Sequence, residues 1–385
     1  MAEVARMAIV GCGGMAGAHR RGLERLWEKG LRDFLITAVC DTVAERRESM
    51  AAELAKFQQH EPKEYKNVEE MLGAEKDLDA VDICTDHRSH HTVAEACFKA
   101  GKHVTIEKPL AITIRAGHRI IEAAKKAGRL LHVAENYRRS SEERAINWAV
   151  KRGRIGNPRM IYWVDLHERR WYWGWRDEKD IAGGGWTLDG GVHFADLFRY
   201  HVGEVKTLFA ASKAYDPVRF KDREKLSDAV QATVEDTTIA VLDFENGVTG
   251  QWTSSMVAPG HKAGLRALYG SEGAIVWGDG LVLRDSRISM EELVKEHAAA
   301  LSPEEKELLF PKGITDTISI ELQEFFDALL RGRKIEIDGA EGLKDEAISI
   351  AVYESAALGQ PVEVSKVESG EIDAYQAELN ASMGI

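Results

Sequence analysis

Through the first third of the chain, apolar residues fall in short unbroken runs separated by stretches of helical spacing. MAIVG (7–11), LITAVCD (35–41), AVDICTD (80–86), HVTIEKP (103–109) and LLHVAEN (130–136) predict buried strands. Each is short, apolar in succession and bounded by polar residues or glycine, as a strand covered on both faces must be. Between them the spacing predicts helices from Met15 to about Lys29 and over 43–57, 67–73, 91–101 and 115–128. Strand–helix alternation of this kind predicts βαβ units and a doubly wound parallel sheet.

The rhythm changes after about Asn136. A helix over 140–152 leads into an alternating strand, MIYWVDLHE (160–168), and a later helix covers 193–203. From 205 onward strand follows strand, and Asn246-Gly247 between two alternating runs is a strong hairpin signal. The second part therefore predicts an α/β domain with an open, mostly antiparallel sheet. Residues 287–315 read as a charged, irregular surface excursion. Amphipathic helices follow over 318–332 and 345–359, and the tail 366–385 is polar and poorly specified. The expected division is 1–136 and 137–385, within the range that 385 residues allow.

Charge narrows the partners. Lys and Arg total 51 against 63 Asp and Glu, and the net charge of -12 argues against nucleic acid and against an anionic membrane surface. No run approaches the ~20 apolar residues of a membrane span, and no signal peptide is visible at the N-terminus. Cys12, Cys40, Cys84 and Cys97 lie in apolar contexts without a C-x-x-C pair. They read as small buried residues in a reducing compartment, and the expected location is the cytoplasm.

IVGCGGMAGAH (9–19) places Gly11, Gly13 and Ala16 in a G-x-G-x-x-G/A spacing at a strand end and a helix start. Gly11 permits the tight turn, Gly13 lets the backbone approach a pyrophosphate, and the helix N-terminus offers amides to phosphate, with Gly14 and Met15 beside it. This context makes residues 1–136 an expected NAD(P)-binding Rossmann domain. Asp41 ends the next strand, where a carboxylate can accept both ribose hydroxyls and repel a 2′-phosphate. It could equally cap the following helix, and both roles can coexist. Arg46 and Arg47 could instead pair with a 2′-phosphate, so NAD is expected ahead of NADP. Thr85 and Glu107, at the ends of further strands, are additional candidates for cofactor contacts.

Strand ends in a parallel sheet face the ligand crevice, and EKP (107–109) ends the fourth predicted strand. Lys108 there could donate a hydrogen bond to a substrate hydroxyl, or be a solvated lysine before a turn. Pro109 fixes the chain behind it and could be cis. In GGGWTLDGGVH (183–193), Asp189 and His193 stand four apart, on one helical face. Histidine suits proton abstraction from a carbinol because it titrates near neutrality. The glycines would let backbone pass close to a ligand. The plainer alternative is an Asp N-cap and a satisfied helix histidine. His167, Glu168, Asp189 and His193 could form a mixed nitrogen–oxygen set, but no H-E-x-x-H or cysteine pair is present, and no metal is expected.

GCGGMAGAH, TDHRSHHTVAEACFKAGKHVTIEKPLA, WRDEKDIAGGGWTLDGGVHFAD, VEDTTIAVLDFENGVTG and GSEGAI occur in this order. From about residue 6 to about 364 the chain resembles the Gfo/Idh/MocA family of NAD(P)-dependent sugar and cyclitol oxidoreductases. EKP combined with GGG-x-x-x-D-x-G-x-H is more specific than any glycine loop. The resemblance implies a Rossmann domain and a second α/β domain whose open sheet packs against another subunit, as a homodimer or homotetramer. It implies that His193 takes the hydroxyl proton as hydride leaves for nicotinamide, while Lys108 and Asp189 hold that oxygen. It also places His90 close to the cofactor. Two positions depart from the family pattern: Asp86 stands where proline is usual, and Ala16 replaces the third glycine.

RRWYWGWRD (169–177) mixes tryptophans with arginines, a composition that stacks on pyranose faces and hydrogen-bonds hydroxyls. At least one of Trp171, Trp173, Trp175 and Arg176 is expected to touch substrate, and the resemblance implies that Arg176 lines the pocket. Asn136 and Tyr137 at the fifth strand's end are further candidates. A packed loop or a subunit interface is the alternative. The leading expectation is an NAD-dependent dehydrogenase of a pyranose, glycoside or inositol-like cyclitol. The alternatives are a glycoside-cleaving enzyme that recycles NAD, and a non-catalytic nucleotide or sugar sensor.

Overall fold

The computed structural model describes residues 4–385. The chain divides into two compact units: residues up to 111, 116–139 and 303–343 form the first, and 112–115, 140–302 and 344–385 the second.

The first unit holds six strands: β1 (Ala5–Val10), β2 (Phe34–Cys40), β3 (Lys63–Tyr65), β4 (Ala80–Ile83), β5 (His103–Glu107) and β6 (Leu131–Ala134). They pair in parallel in the order β3-β2-β1-β4-β5-β6. The order reverses between β1 and β4, which creates the crevice where such sheets bind ligands. β3, with three residues, is too short to carry a readable period. Helix Gly14–Glu28 buries Ala16, His19, Gly22, Leu23 and Leu26. Against it packs helix Thr317–Arg331: a Cβ on Gly22 would meet Ile318 at 3.1 Å, and Phe34 stacks on Phe326 at 4.9 Å.

This packing corrects the expected division at 136/137, because 303–343 returns to the first unit. The local pattern of 318–332 announces an amphipathic helix, but it does not say which sheet its apolar face covers.

The second unit is built on a nine-stranded sheet in the order β16-β15-β14-β13-β7-β12-β11-β8-β17. These are β7 (Pro158–Leu166), β8 (Val205–Lys213), β11 (Thr237–Phe244), β12 (Thr249–Ser255), β13 (Ala263–Gly270), β14 (Gly273–Val276), β15 (Gly280–Leu283), β16 (Arg287–Ile288) and β17 (Val362–Glu363). A separate hairpin joins β9 (Val218–Asp222) to β10 (Ser227–Gln231). Every pair in the large sheet is antiparallel except β7 with β12. Asn246-Gly247 turns β11 into β12 as expected, with Gly247 at φ +84. On one face Trp163 and Trp252 stand in register, fully buried against Phe194 and Phe198 of helix Gly191–His201. The opposite face leaves Phe209, Ile239, Val241 and Leu265 between 40% and 50% exposed.

Two further expectations are corrected. Most of 287–315 is helical, with helices Met290–Ala300 and Pro303–Leu309, the first closed by a Ser289–Glu292 capping box. The tail is also ordered. Leu379 is buried, and Gln376 hydrogen-bonds the Ile114 amide and the Glu354 carboxylate.

Candidate active site

β1 runs directly into Gly11, whose φ of +84 suits glycine. A Cβ there would sit 2.6 Å from the Cys84 carbonyl at the end of β4, so the glycine allows the two strand ends to converge. Gly13 and Gly14 differ: a Cβ on either meets nothing within 4 Å. Gly13 caps helix Gly14–Glu28 with no side-chain bond to its first amides, and Met15 follows half-buried in the first turn. A cleft of about 370 Å³ opens beside them, lined by Cys12, Gly13, Arg20, Arg46, Ser49 and Glu53.

Asp41 accepts the Cys12 amide on Oδ2 and the Val43 amide on Oδ1, both at 2.8 Å. It braces the glycine turn with one oxygen and its own turn with the other, and each oxygen keeps a further lone pair for a ribose hydroxyl. Thr85 Oγ1 donates to the Asp86 carbonyl. Asp86, at the position where the family has proline, caps the short turn His87–Ser89 through Ser89.

Lys108 follows β5 and is half-buried, with a cis bond to Pro109. The two side chains expected near the cofactor on either side of it point inward. Glu107 is 5% exposed and meets His19 Nε2 at 2.9 Å. His90 is fully buried with Nδ1 2.9 Å from the Pro109 carbonyl, so it supports the turn behind Lys108, while its Nε2 has no hydrogen-bond partner among the described residues. Burial pushes the His90 pKa down to about 4, which leaves it neutral and donating from Nδ1.

Beneath them lies a charged network the sequence reading missed. His19 Nδ1 sits 2.8 Å from Asp82, its Nε2 faces Glu107, and Glu321 is 3.9 Å away. Burial alone would lower the His19 pKa, but the Asp82 carboxylate holds it well above the ordinary value. Burial raises Glu321 in the same pocket. One signal was available: His19 falls on the same helical face as Ala16, Leu23 and Leu26. His19, Asp82 and Cys84 have ligand-type atoms within 4.8 Å of one another, all buried. Among the described residues, His167, Glu168, Asp189 and His193 form no such group.

In the second unit, GGGWTLDGGVH becomes two consecutive helical pieces, Trp186–Asp189 and Gly191–His201, joined at Gly190. Asp189 is 4% exposed and His193 8%. Asp189 ends the first piece, and the cap position of the second is Gly190. Arg176 Nε lies 3.3 Å from Asp189 Oδ2.

The glycines serve packing against the protein's own side chains. A Cβ on Gly184 would strike the Tyr353 hydroxyl, and one on Gly185 would sit 2.5 Å from the Glu235 carbonyl. On Gly190 it would meet the Trp186 ring at 2.5 Å, and on Gly191 the Trp252 ring at 2.6 Å. Glu235 binds this backbone directly: Oε2 accepts the Gly185 amide at 2.7 Å, while Oε1 accepts the Thr187 amide and the Tyr353 hydroxyl, both at 3.0 Å.

RRWYWGWRD divides by role. Arg169 pairs with fully buried Asp177 through Nη2 at 2.6 Å and lies over the Trp171 and Trp173 rings, a structural knot. The Arg176 guanidinium lies 4.2 Å from the Trp175 ring centroid and 5.1 Å from that of Trp173. Asn136 donates to Thr317 at 3.1 Å in the first unit, and Tyr137 is 37% exposed.

Residues 5–135 match the oxidoreductase family with an NAD-binding Rossmann fold, GFO_IDH_MocA. Residues 123–276 match the GFO/IDH/MocA C-terminal domain. The chain belongs to the Gfo/Idh/MocA oxidoreductase family. A 1,5-anhydro-D-fructose reductase of Ensifer adhaerens is 29% identical over 301 residues, covering 77% of this chain and 83% of the relative. A myo-inositol 2-dehydrogenase of Thermotoga maritima is 27% identical over 379 residues, covering 94% and 99%. In fold, the chain is similar to the WlbA dehydrogenase of Bordetella pertussis in complex with NADH and UDP-GlcNAcA. The TM-score there is 0.75 at 23% identity, over 94% of this chain and 99% of that one.

As a Gfo/Idh/MocA oxidoreductase, the chain carries NAD on the first unit, and its residues fit that cofactor. The open space over Gly13 and Gly14 and the uncapped amides of helix Gly14–Glu28 suit a pyrophosphate. Asp41 suits the ribose hydroxyls. Among the described residues no helix is long and apolar enough to cross a membrane.

Proposed function

We propose that this oxidoreductase converts a secondary alcohol of a pyranose, glycoside or inositol-like cyclitol to a ketone. Bound NAD supplies the hydride acceptor for the carbinol carbon. His193 takes the hydroxyl proton on an imidazole nitrogen. Asp189 accepts a hydrogen bond from a neighbouring hydroxyl of the substrate, and Lys108 Nζ donates one to the reacting oxygen as it gains negative charge. Arg176 orients Asp189, and Trp175 offers an aromatic face to the C–H face of the ring, with Asn136 and Tyr137 as further substrate contacts.

The observation that supports this reading is the buried pair Asp189 and His193, four residues apart in sequence across the Gly190 joint, with Arg176 3.3 Å from the Asp189 carboxylate. The relatives support the substrate class, since one is named for an anhydro-sugar and another for an inositol. The experiment is NADH formation, followed by absorbance, with NAD and a panel of monosaccharides, inositols, anhydrosugars and aryl glycosides. NADH produced with one class supports the reading. Aglycone release without NADH overturns it for a cleaving enzyme that recycles its cofactor, and no reaction of any kind favours a sensor.

The apolar face of the large sheet supports self-association as a homodimer or homotetramer. The four free, buried cysteines support a reducing, cytoplasmic setting.

A further inference from the structure

Glu235 is a half-buried carboxylate that the reaction does not use. It lies just before β11, at the start of VEDTTIAVLDFENGVTG, and no chemical role was read for it. Desolvation raises its pKa, and three hydrogen bonds hold its carboxylate against the chain. It receives the amides of Gly185 and Thr187 and the Tyr353 hydroxyl. The first two belong to the first turn of Trp186–Asp189, where helix amides lack internal partners. A side chain from the loop before β11 thus does the work of an N-cap. The connection continues through the backbone, because the Gly185 carbonyl accepts the Asp189 amide at 2.9 Å. The His193 amide is next in the chain of bonds, at 3.2 Å from the Gly190 carbonyl.

We propose that Glu235 is a positioning residue for the proton-transfer pair: by clamping Gly185 and Thr187, with Tyr353 as its own brace, it sets the placement of Asp189 and His193. The proposal rests on the dehydrogenase reading above. It also accounts for two of the three glycines at 183–185. Gly184 and Gly185 are the positions where a Cβ would collide with Tyr353 and Glu235, so glycine is what lets the clamp close on the main chain.

The test compares wild type with Glu235→Gln and Tyr353→Phe in the intact protein. Glutamine keeps the shape but presents an NH₂ group to one of the two amides, so one backbone bond is lost. The Glu235→Gln variant is expected to lose kcat by ~10-fold, as removal of one hydrogen bond to a charged group implies. NAD affinity is expected to stay, and the pH profile of kcat is expected to move. Loss of folded protein alone would scale that profile without displacing it. Tyr353→Phe, which leaves both backbone bonds, is expected to lose ~3-fold. Hydrogen–deuterium exchange should rise in peptides covering 183–193. A Glu235→Gln enzyme with wild-type kcat, pH profile and exchange overturns the proposal. If that variant does not fold, wild-type kcat and exchange in Tyr353→Phe overturn it. If wild type oxidises nothing in the panel, the dehydrogenase reading fails separately, and exchange over 183–193 alone decides whether Glu235 clamps this backbone.

Discussion

Arg176 reaches Asp189 Oδ2 at 3.3 Å with Nε while its guanidinium plane covers the Trp175 ring at 4.2 Å. A planar cation held against an aromatic face has little freedom, so it fixes the carboxylate it touches. Lysine supplies the charge without the plane. Arg176→Lys is expected to lower kcat by ~10-fold, the effect of one partly buried ion pair misplaced. Steady-state kinetics on the substrate found in the panel checks this, and an unchanged kcat shows that Asp189 needs no such support.

Lys108 is assigned a bond that strengthens as charge develops on the reacting oxygen. Lys108→Ala is expected to lower kcat by ~100-fold, in line with removal of a single donor to a developing oxyanion. NAD affinity, measured by fluorescence titration, should stay within about twofold, since phosphate and ribose contacts lie elsewhere. Equal turnover in the variant removes Lys108 from the chemistry.

The first sheet was legible because its strands are short, apolar throughout and punctuated by helices, and because Gly11 ends a strand where only a turn fits. The site motifs were legible as residue types at fixed spacing. What was not legible depends on distant partners. Nothing local in 318–332 says that Phe326 stacks on Phe34. Nothing in VEDTT says that Glu235 closes on Gly185. Glu107 read as a cofactor contact because it ends a strand at the crevice, and His90 because the family resemblance put it near the cofactor. The structure turns both inward, to Pro109 and His19. The triple glycine read as room for a ligand, whereas the space it leaves is filled by Ile112, Tyr353 and Glu235.

His90 makes the first unit sensitive to acid. Its pKa is about 4 in the folded chain, against ~6.5 when unfolded. Between those values the unfolded chain binds a proton that the folded chain refuses. Stability is therefore complete above ~6.5 and falls as pH drops toward about 4. His132, lowered by burial, acts in the same direction. Thermal melts across that range should show a falling Tm, with a shallower slope in His90→Gln. Identical slopes contradict the assignment.

The exposed sheet face carries Phe209 opposite Val241 and Ala211 opposite Ile239 across one strand pair. Contiguous apolar surface of this kind marks an interaction site. Light scattering should give a dimer or tetramer for wild type and a lower mass for an Ile239→Glu, Val241→Glu double variant. A monomeric wild type contradicts the proposed self-association.

The central claim is that His193 takes the substrate's hydroxyl proton. The most direct measurement is kcat for NADH formation by His193→Ala beside wild type, with NAD affinity recorded for both. Loss of ~1000-fold with NAD binding intact is the predicted result, within the range for a missing general base. Turnover within about twofold of wild type would contradict the account and move the proton to another group.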